Sequence, residues 1–428
     1  MRFNTLDAWL DWQSTLHAPG IDLGLERVQA VQARLALDLR DRRVLTVAGT
    51  NGKGSAAAML DAILQAAGYR TGRYTSPHLT RYNERVTIAG RHASDVELLE
   101  AFEAVDRARQ DTPLTYFEFG TLAALWLFAA ARLDVVILEV GLGGRLDAVN
   151  AVDPDACLIT RIGLDHQALL GDTREAIGRE KAGIFRAARP AVCADPDPPA
   201  SIAATARAVG AKLYQRGRDF ELVDSELTLR LRGLDGVLRD YARPALFGGH
   251  QLDNAAGALV MLEALRQRVP VAREAIDTGL AGIRLPGRFE VRSHGCQTWI
   301  FDVAHNPQAA QALARQLAAW RAQHASPAPV VTAIFGCLRD KDARGIVQAL
   351  AGQVDGWITV STPPPRGIAG AALAPIVQAS PAPLLGHAET MEQARAVVQG
   401  AALRNHAVLV LGSFLTVGAA RDMLAATA

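Results

Sequence analysis

Short apolar runs alternate along most of this chain with stretches whose apolar residues recur every three or four positions. That alternation predicts buried strands joined by helices, an α/β fold built on parallel sheets. The run Val44-Leu45-Thr46-Val47-Ala48 reads as a buried parallel strand that breaks at Gly49. A helix follows, with Met59, Leu60, Ile63, Leu64 and Ala67 on one face and Gly68 as its stop. Residues 1–40 read as helical around a loop at Pro19-Gly20-Ile21-Asp22-Leu23-Gly24. A short strand ends at Tyr74-Thr75-Ser76, where Pro77 forces an extended or turning backbone. The polar stretch Arg81-Tyr82-Asn83-Glu84-Arg85 is expected near the same sheet edge. Further on come an apolar helix over 119–132, the most hydrophobic strand (134–140), a strand over 156–160 and a charged helix over 173–188. A strand over 191–194, a helix near 200–209 and a short strand near 212–214 continue the alternation. Residues 219–241 change texture: alternating stretches split by Gly233 and Gly236 predict an antiparallel hairpin, followed by helices over 252–267 and 272–281.

Leu285-Pro286-Gly287-Arg288 reads as a domain boundary. Beyond it the alternation restarts with strand 298–303, helix 307–322, strand 330–335, helix 342–351 and strand 356–360, closing with strand 407–411 and a last helix. This predicts a second, smaller doubly wound domain, Rossmann-like but without a dinucleotide-type glycine fingerprint. The expected division is 1–286 and 287–428, and a length of 428 residues suits two domains or three. The loop Pro363-Pro364-Pro365-Arg366 reads as an exposed turn.

Composition changes this picture little. The chain is 50% hydrophobic and 21% charged with a net charge of +1, which gives no reason to expect nucleic acid or a membrane surface as the main partner. Four scattered cysteines, Cys157, Cys193, Cys296 and Cys337, form no C-x-x-C and read as buried thiols in a reducing compartment. Residues 1–20 lack a signal-peptide pattern and no apolar run is long enough to cross a bilayer, so a cytoplasmic location is expected; a monomer is expected as well.

The chemistry gathers at predicted strand ends. Gly49-Thr50-Asn51-Gly52-Lys53-Gly54-Ser55 lies between strand and helix. Its glycines let backbone N–H groups face a phosphate, the helix N-terminus adds positive potential, and Lys53 would reach the outer phosphates of a nucleotide. Ser55 would cap the helix or touch a metal's shell. The strict G-x-x-x-x-G-K-[ST] pattern fails because Gly54 follows Lys53, and a plain tight βα connection is the alternative. Glu139 closes the most hydrophobic strand, which suits a Mg²⁺ ligand or a carboxylate capping a strand end in solvent. His166 follows another strand, and Ser76 a third, on the edge where ligands bind open parallel sheets. Arg179-Glu180-Lys181-Ala182-Gly183 reads by itself as a charged, solvated helix face.

Taken together, these residues give the chain an end-to-end resemblance to the folylpolyglutamate synthase family, most closely its bifunctional dihydrofolate synthase members. It rests on the 49–55 loop, Thr75-Ser76-Pro77-His78-Leu79, Asn83-Glu84-Arg85, and the string from Glu139 through Gly143-Gly144-Arg145-Leu146-Asp147-Ala148. It continues through Leu164-Asp165-His166, Arg179-Glu180-Lys181-Ala182-Gly183-Ile184, His250-Gln251 with Asn254, and Leu285-Pro286-Gly287-Arg288. In the second domain Asp302-Val303-Ala304-His305-Asn306-Pro307, Asp340-Lys341-Asp342 and Gly412-Ser413-Phe414 carry it. The phosphate loop is shared with the Mur ligases. The resemblance implies ATP-dependent formation of an amide between a pterin-linked carboxylate and glutamate, through an acyl phosphate.

It also implies residue roles. Residues 49–55 with Asn254, Arg288 and Asp302 bind ATP, and Ser76, Glu139 and His166 bind magnesium, with two ions expected. Lys181 matches a lysine that family members carry as a carbamate and would serve a second magnesium; Lys53, Lys181, Asp302 and His305 are the implied catalytic residues. The implied catalytic cleft lies between the domains. For dihydropteroate the loop Ile21-Asp22-Leu23-Gly24-Leu25-Glu26-Arg27 matches, together with Phe117, Glu118, Gly120 and Asp147. Phe117 suits stacking on a flat ring or plain core packing. Expected small-molecule partners are ATP, L-glutamate, dihydropteroate and reduced folates. Rival readings are a monofunctional folylpolyglutamate synthase, a cell-wall ligase, and a nucleotide-dependent switch.

Overall fold

The computed structural model describes residues 2–17, 22–295, 297–324, 328–400 and 406–426. Contacts divide the chain into two units. The first comprises Met1–His78, Tyr82–Ala245 and His250–Ile283; the second comprises Leu79–Arg81, Leu246–Gly249 and Arg284–Ala428.

The first unit is organised on an eight-stranded sheet, with three further strands in a smaller one. In chain order the strands are β1 (Arg43–Ala48), β2 (Thr71–Tyr74), β3 (Val86–Ile88), β4 (Arg91–His92), β5 (Val135–Glu139), β6 (Ala156–Ile159), β7 (Pro190–Cys193) and β8 (Lys212–Gln215). The smaller sheet holds β9 (Glu221–Val223), β10 (Leu229–Arg232) and β11 (Leu238–Tyr241). The large sheet runs β4-β3-β2-β5-β1-β6-β7-β8, parallel from β2 to β8, with β3 and β4 added antiparallel at one edge. Leu45, Val47, Val136, Ile137 and Leu138 are fully buried, as expected of central parallel strands covered by helices on both faces. Against them pack the helices Lys53–Ala66 and Tyr116–Ala130, and the core extends to Trp9, Phe102, Phe119 and Phe128.

The second unit has a six-stranded sheet, β12 (Glu290–His294), β13 (Gln297–Phe301), β14 (Val330–Phe335), β15 (Gly356–Val360), β16 (Leu384–Ala388) and β17 (His406–Leu411). Its order is β12-β13-β17-β14-β15-β16, parallel except for β12. The α/β class and the two parallel sheets expected from the sequence are both present.

The differences are local. The helix expected over 119–132 begins at Tyr116, because Thr115 and Glu118 form a reciprocal capping box one turn earlier. The hairpin expected in 219–241 gains a third strand, β9. Strand β12 escaped detection because its exposed central residues Val291, Arg292 and Ser293 carry no apolar period. Strands β3 and β4 are three and two residues long, too short to leave a pattern. Cys157, Cys193 and Cys337 are buried free thiols, while Cys296 lies outside the described residues. Among the described residues no helix is long and apolar enough to cross a membrane.

Candidate active site

Neighbouring strands deliver the first unit's polar residues to one sheet edge. In the order β2-β5-β1-β6, Ser76 follows β2, Glu139 closes β5, the loop 49–55 follows β1, and Asp165 and His166 follow β6. Parallel strands point the same way, so these four connections emerge side by side.

The loop's shape is imposed by close packing. Gly49 has φ +149°, and a Cβ there would overlap the Thr160 hydroxyl, which itself bonds the Ala48 and Asn51 carbonyls at 3.2 and 2.9 Å. Thr50 is pinned twice to the segment after β6: its N–H donates to the Arg161 carbonyl (2.8 Å), and its hydroxyl lies 3.0 Å from both the N–H and the carbonyl of Gly163. Gly52, at φ +97°, stands in the N-cap position of the helix Lys53–Ala66, and no side chain caps that end. A helix N-terminus without a side-chain cap is suited to an anion. Lys53 Nζ donates to the Gly49 carbonyl (3.1 Å) and the Thr50 carbonyl (3.3 Å), which holds the ammonium over the loop. Ser55 does not cap the helix: it is the third helical residue and is buried. Asn254, buried and hydrogen-bonded to Gln251 (3.0 Å), stands so close to Gly52 that a Cβ on Gly52 would overlap its amide oxygen.

Glu139 is not a solvent-facing strand end, since only 4% of it is exposed. One carboxylate oxygen accepts the Ser76 N–H at 3.3 Å, which brings those two residues together. The segment after Ser76 is braced by Arg85, whose Nε donates to His78 Nδ1 (2.8 Å) and whose carbonyl accepts the Thr75 N–H (2.9 Å). Burial, then the Arg85 charge, bring the His78 pKa down to about 4. His166 adopts a left-handed backbone (φ 52°) at the start of the short helix Gln167–Leu170, with Nε2 3.9 Å from Asp165.

Lys181 departs most from its sequence reading. It is 4% exposed rather than part of a solvated face, because Gly144 packs directly onto the backbone of Glu180 and Lys181. Burial first, then the Lys53 charge, bring its pKa down to about 7, against the opposing pull of Asp165, Asp147 and Glu180. Asp147 is equally enclosed. Its oxygens accept the N–H groups of Leu142 (2.8 Å) and Val149 (3.1 Å), and burial pushes its carboxyl up to about 6. Lys53, Lys181, Asp147 and Asp165 thus form one electrostatically coupled group beside the loop.

The donor set fits magnesium, which prefers oxygen ligands: a buried carboxylate at Glu139, a hydroxyl at Ser76, and His166 as a nitrogen donor. Among the described residues no three His, Cys, Asp or Glu side chains form a group that could hold a metal by themselves.

Of the predicted pterin residues, Asp147 belongs to the group beside the loop, while Asp22, Arg27 and Glu118 meet at the starts of two helices. Arg27 binds Asp22 (2.7 Å) and Glu118 (3.0 Å), tying the start of the helix Glu26–Leu35 to that of Tyr116–Ala130. Glu118 also caps the Thr115 N–H at 2.7 Å, so its carboxylate is committed to fixing this corner. Leu23, Gly24 and Leu25 are half-buried between Asp22 and that helix; Ile21 lies outside the described residues. The Phe117 ring covers Gly141, where a Cβ would come within 2.5 Å of it, and lies 5.9 Å from the Tyr74 ring. Gly120 leaves room for the Tyr82 hydroxyl.

In the second unit, Asp302 follows β13, with its oxygens held by the N–H groups of Phe289 and Ala304, both at 2.9 Å. Burial raises its pKa, opposed mainly by the Arg288 charge. The Arg288 guanidinium lies 5.4 Å from the Phe414 ring centre, and His305 Nδ1 is 2.9 Å from the Val303 carbonyl. Since a carbonyl only accepts, Nδ1 carries the proton. Sequence reasoning missed Asp195. Buried at the end of β7, it accepts the Ile162 N–H (2.8 Å) and fixes the segment that pins Thr50; only its place at a strand end hinted at this.

Residues 47–262 match the Mur ligase middle domain and residues 287–414 the Mur ligase glutamate ligase domain. The chain is 42% identical over 425 residues to the dihydrofolate synthase/folylpolyglutamate synthase of Escherichia coli strain K12, covering 98% of this chain and 95% of that one. It is similar to E. coli FolC in complex with DHPP and ADP, with a TM-score of 0.91 and 42% identity over 99% of this chain and 98% of that one. It is also similar to a bifunctional folylpolyglutamate synthase/dihydrofolate synthase with Mn, AMPPNP and L-glutamate bound, with a TM-score of 0.88 and 43% identity over 99% of this chain and 98% of that one. On this near full-length identity, the chain belongs to the dihydrofolate synthase/folylpolyglutamate synthase family of Mur-type ligases.

Proposed function

We propose that this chain is an ATP-dependent amide-forming ligase that joins L-glutamate to 7,8-dihydropteroate, giving dihydrofolate, and extends reduced folates with further glutamates. The observation that carries the reading is the uncapped phosphate loop beside the buried Glu139, in a chain that shares 42% identity over 98% of its length with a relative named for both activities.

A carboxylate does not condense with an amine unaided, because hydroxide is too poor a leaving group. Transfer of the γ-phosphoryl group of ATP makes an acyl phosphate. The glutamate amine attacks its carbonyl carbon, the C–N bond forms, and inorganic phosphate leaves. The protein's share is positioning and charge neutralisation. The loop N–H groups and Lys53 cradle the phosphates, and Asn254, Arg288 and Asp302 contact the nucleotide. Ser76, Glu139 and His166 would hold magnesium, which when bound supplies positive charge to the β- and γ-phosphates. Lys181 is proposed to act as a carbamate. Its burial and its lowered pKa favour the neutral amine that carbamate formation requires. His305 is the residue proposed to take a proton from the incoming glutamate ammonium. The Asp22–Arg27–Glu118 corner, with Phe117, Gly120 and Asp147, would line the dihydropteroate site.

Purified protein with ATP, magnesium and glutamate is expected to release ADP when either dihydropteroate or tetrahydrofolate is added. Response to tetrahydrofolate alone would select the monofunctional synthase. Release indifferent to glutamate would select a nucleotide switch.

A further inference from the structure

We propose that Arg161 is a nucleotide-binding residue whose guanidinium takes the α-phosphate side of ATP or ADP, with the Arg216–Asp253 pair beside it receiving the ribose hydroxyls. The proposal rests on the nucleotide reading given above and assigns residues that the sequence resemblance did not.

The polarity of the site sets the direction. Ser76 and Glu139, the residues suited to the metal and hence to the β- and γ-phosphates, lie on the β2–β5 side of the phosphate loop. A triphosphate anchored there must send its α-phosphate and nucleoside the other way, toward β6, β7 and β8. On that side Arg161 follows β6, Asp195 follows β7 and Arg216 follows β8. Arg161 is fastened to the loop, since its carbonyl accepts the N–H groups of Thr50 (2.8 Å) and Asn51 (3.3 Å). The Ile162 N–H is held by buried Asp195, so the backbone carrying Arg161 is fixed on both sides.

The carboxylates there are already paired. Arg216 and Asp253 pair at 2.5 Å, each side chain being 20% exposed. Arg161 is half-buried and has no ion pair or side-chain hydrogen bond among the described residues, although Asp253 lies within reach of its charge. Asp253 is paired with Arg216 and the neighbouring Asp195 with Arg174 (3.3 Å), so Arg161 has no carboxylate of its own, next to a loop suited to anions. Asp253 directly precedes Asn254, which presses on Gly52, so this group is continuous with the phosphate loop. Its carboxylate can accept ribose hydroxyls while keeping Arg216.

The test is calorimetric binding of ADP to the full chain, with thermal unfolding alongside. Arg161→Gln is expected to weaken ADP binding about tenfold, as for one lost charge-assisted contact, and to raise KM for ATP similarly. Its kcat and its KM for glutamate should stay within about twofold. Arg161→Lys should keep most of the affinity. Without nucleotide, the Tm of Arg161→Gln should match the wild type, while the rise in Tm on adding ADP should shrink. Asp253→Asn should lose the preference for ADP over its 2′,3′-dideoxy analogue. Unchanged ADP affinity in Arg161→Gln overturns the assignment while leaving the ligase reading intact. Wild-type protein that fails to bind ADP overturns both.

Discussion

Replacing Lys53 by alanine is expected to reduce turnover by about 10²–10³-fold, the loss typical of removing one preorganised electrostatic contact from a developing charge. The ammonium is held over the loop by the Gly49 and Thr50 carbonyls, 3.1 and 3.3 Å away, so little reorganisation is needed when phosphate charge builds. The change has a second effect. Lys53 is the main charge holding down the Lys181 pKa, so its removal moves Lys181 back toward the ammonium form. The side chain begins a helix that is otherwise intact, and alanine is a good helix former, so Tm should change little. Steady-state ADP release measures the loss. A folded variant with wild-type turnover would remove the phosphate loop from the mechanism.

Lys181→Ala is expected to cost at least as much, because it deletes the buried group proposed to act as a carbamate. If the carbamate is the working form, short carboxylic acids such as acetate should restore part of the activity by supplying an oxygen anion in the emptied space. Loss without rescue would assign the role to the amine itself. Full activity without added acid would reject any role for Lys181.

Much of this architecture could be read from sequence because the central strands are covered on both faces, which forces near-continuous apolar runs such as Val135–Glu139. The edge strands could not. β12 and β4 are exposed and polar, so burial left no period in them. The loop 49–55 was visible through its glycines, and the structure gives a reason for two of them: Gly49 faces Thr160 and Gly52 faces Asn254, both distant in sequence. Those partners, and the Asp195 carboxylate that steadies the segment after β6, belong to separate βα units and leave no local signal. Lys181 was misread for the same reason. Its helix is charged along its length, and only the approach of Gly144 buries this one lysine.

If the pterin-linked carboxylate is phosphorylated by ATP before glutamate attacks, one of its oxygens must leave with phosphate. The most direct measurement uses dihydropteroate labelled with ¹⁸O in its carboxylate, followed by mass analysis of the released inorganic phosphate. One labelled oxygen in phosphate for each amide formed is the predicted result. Amide formation that leaves phosphate unlabelled, with the label lost to water, would contradict it.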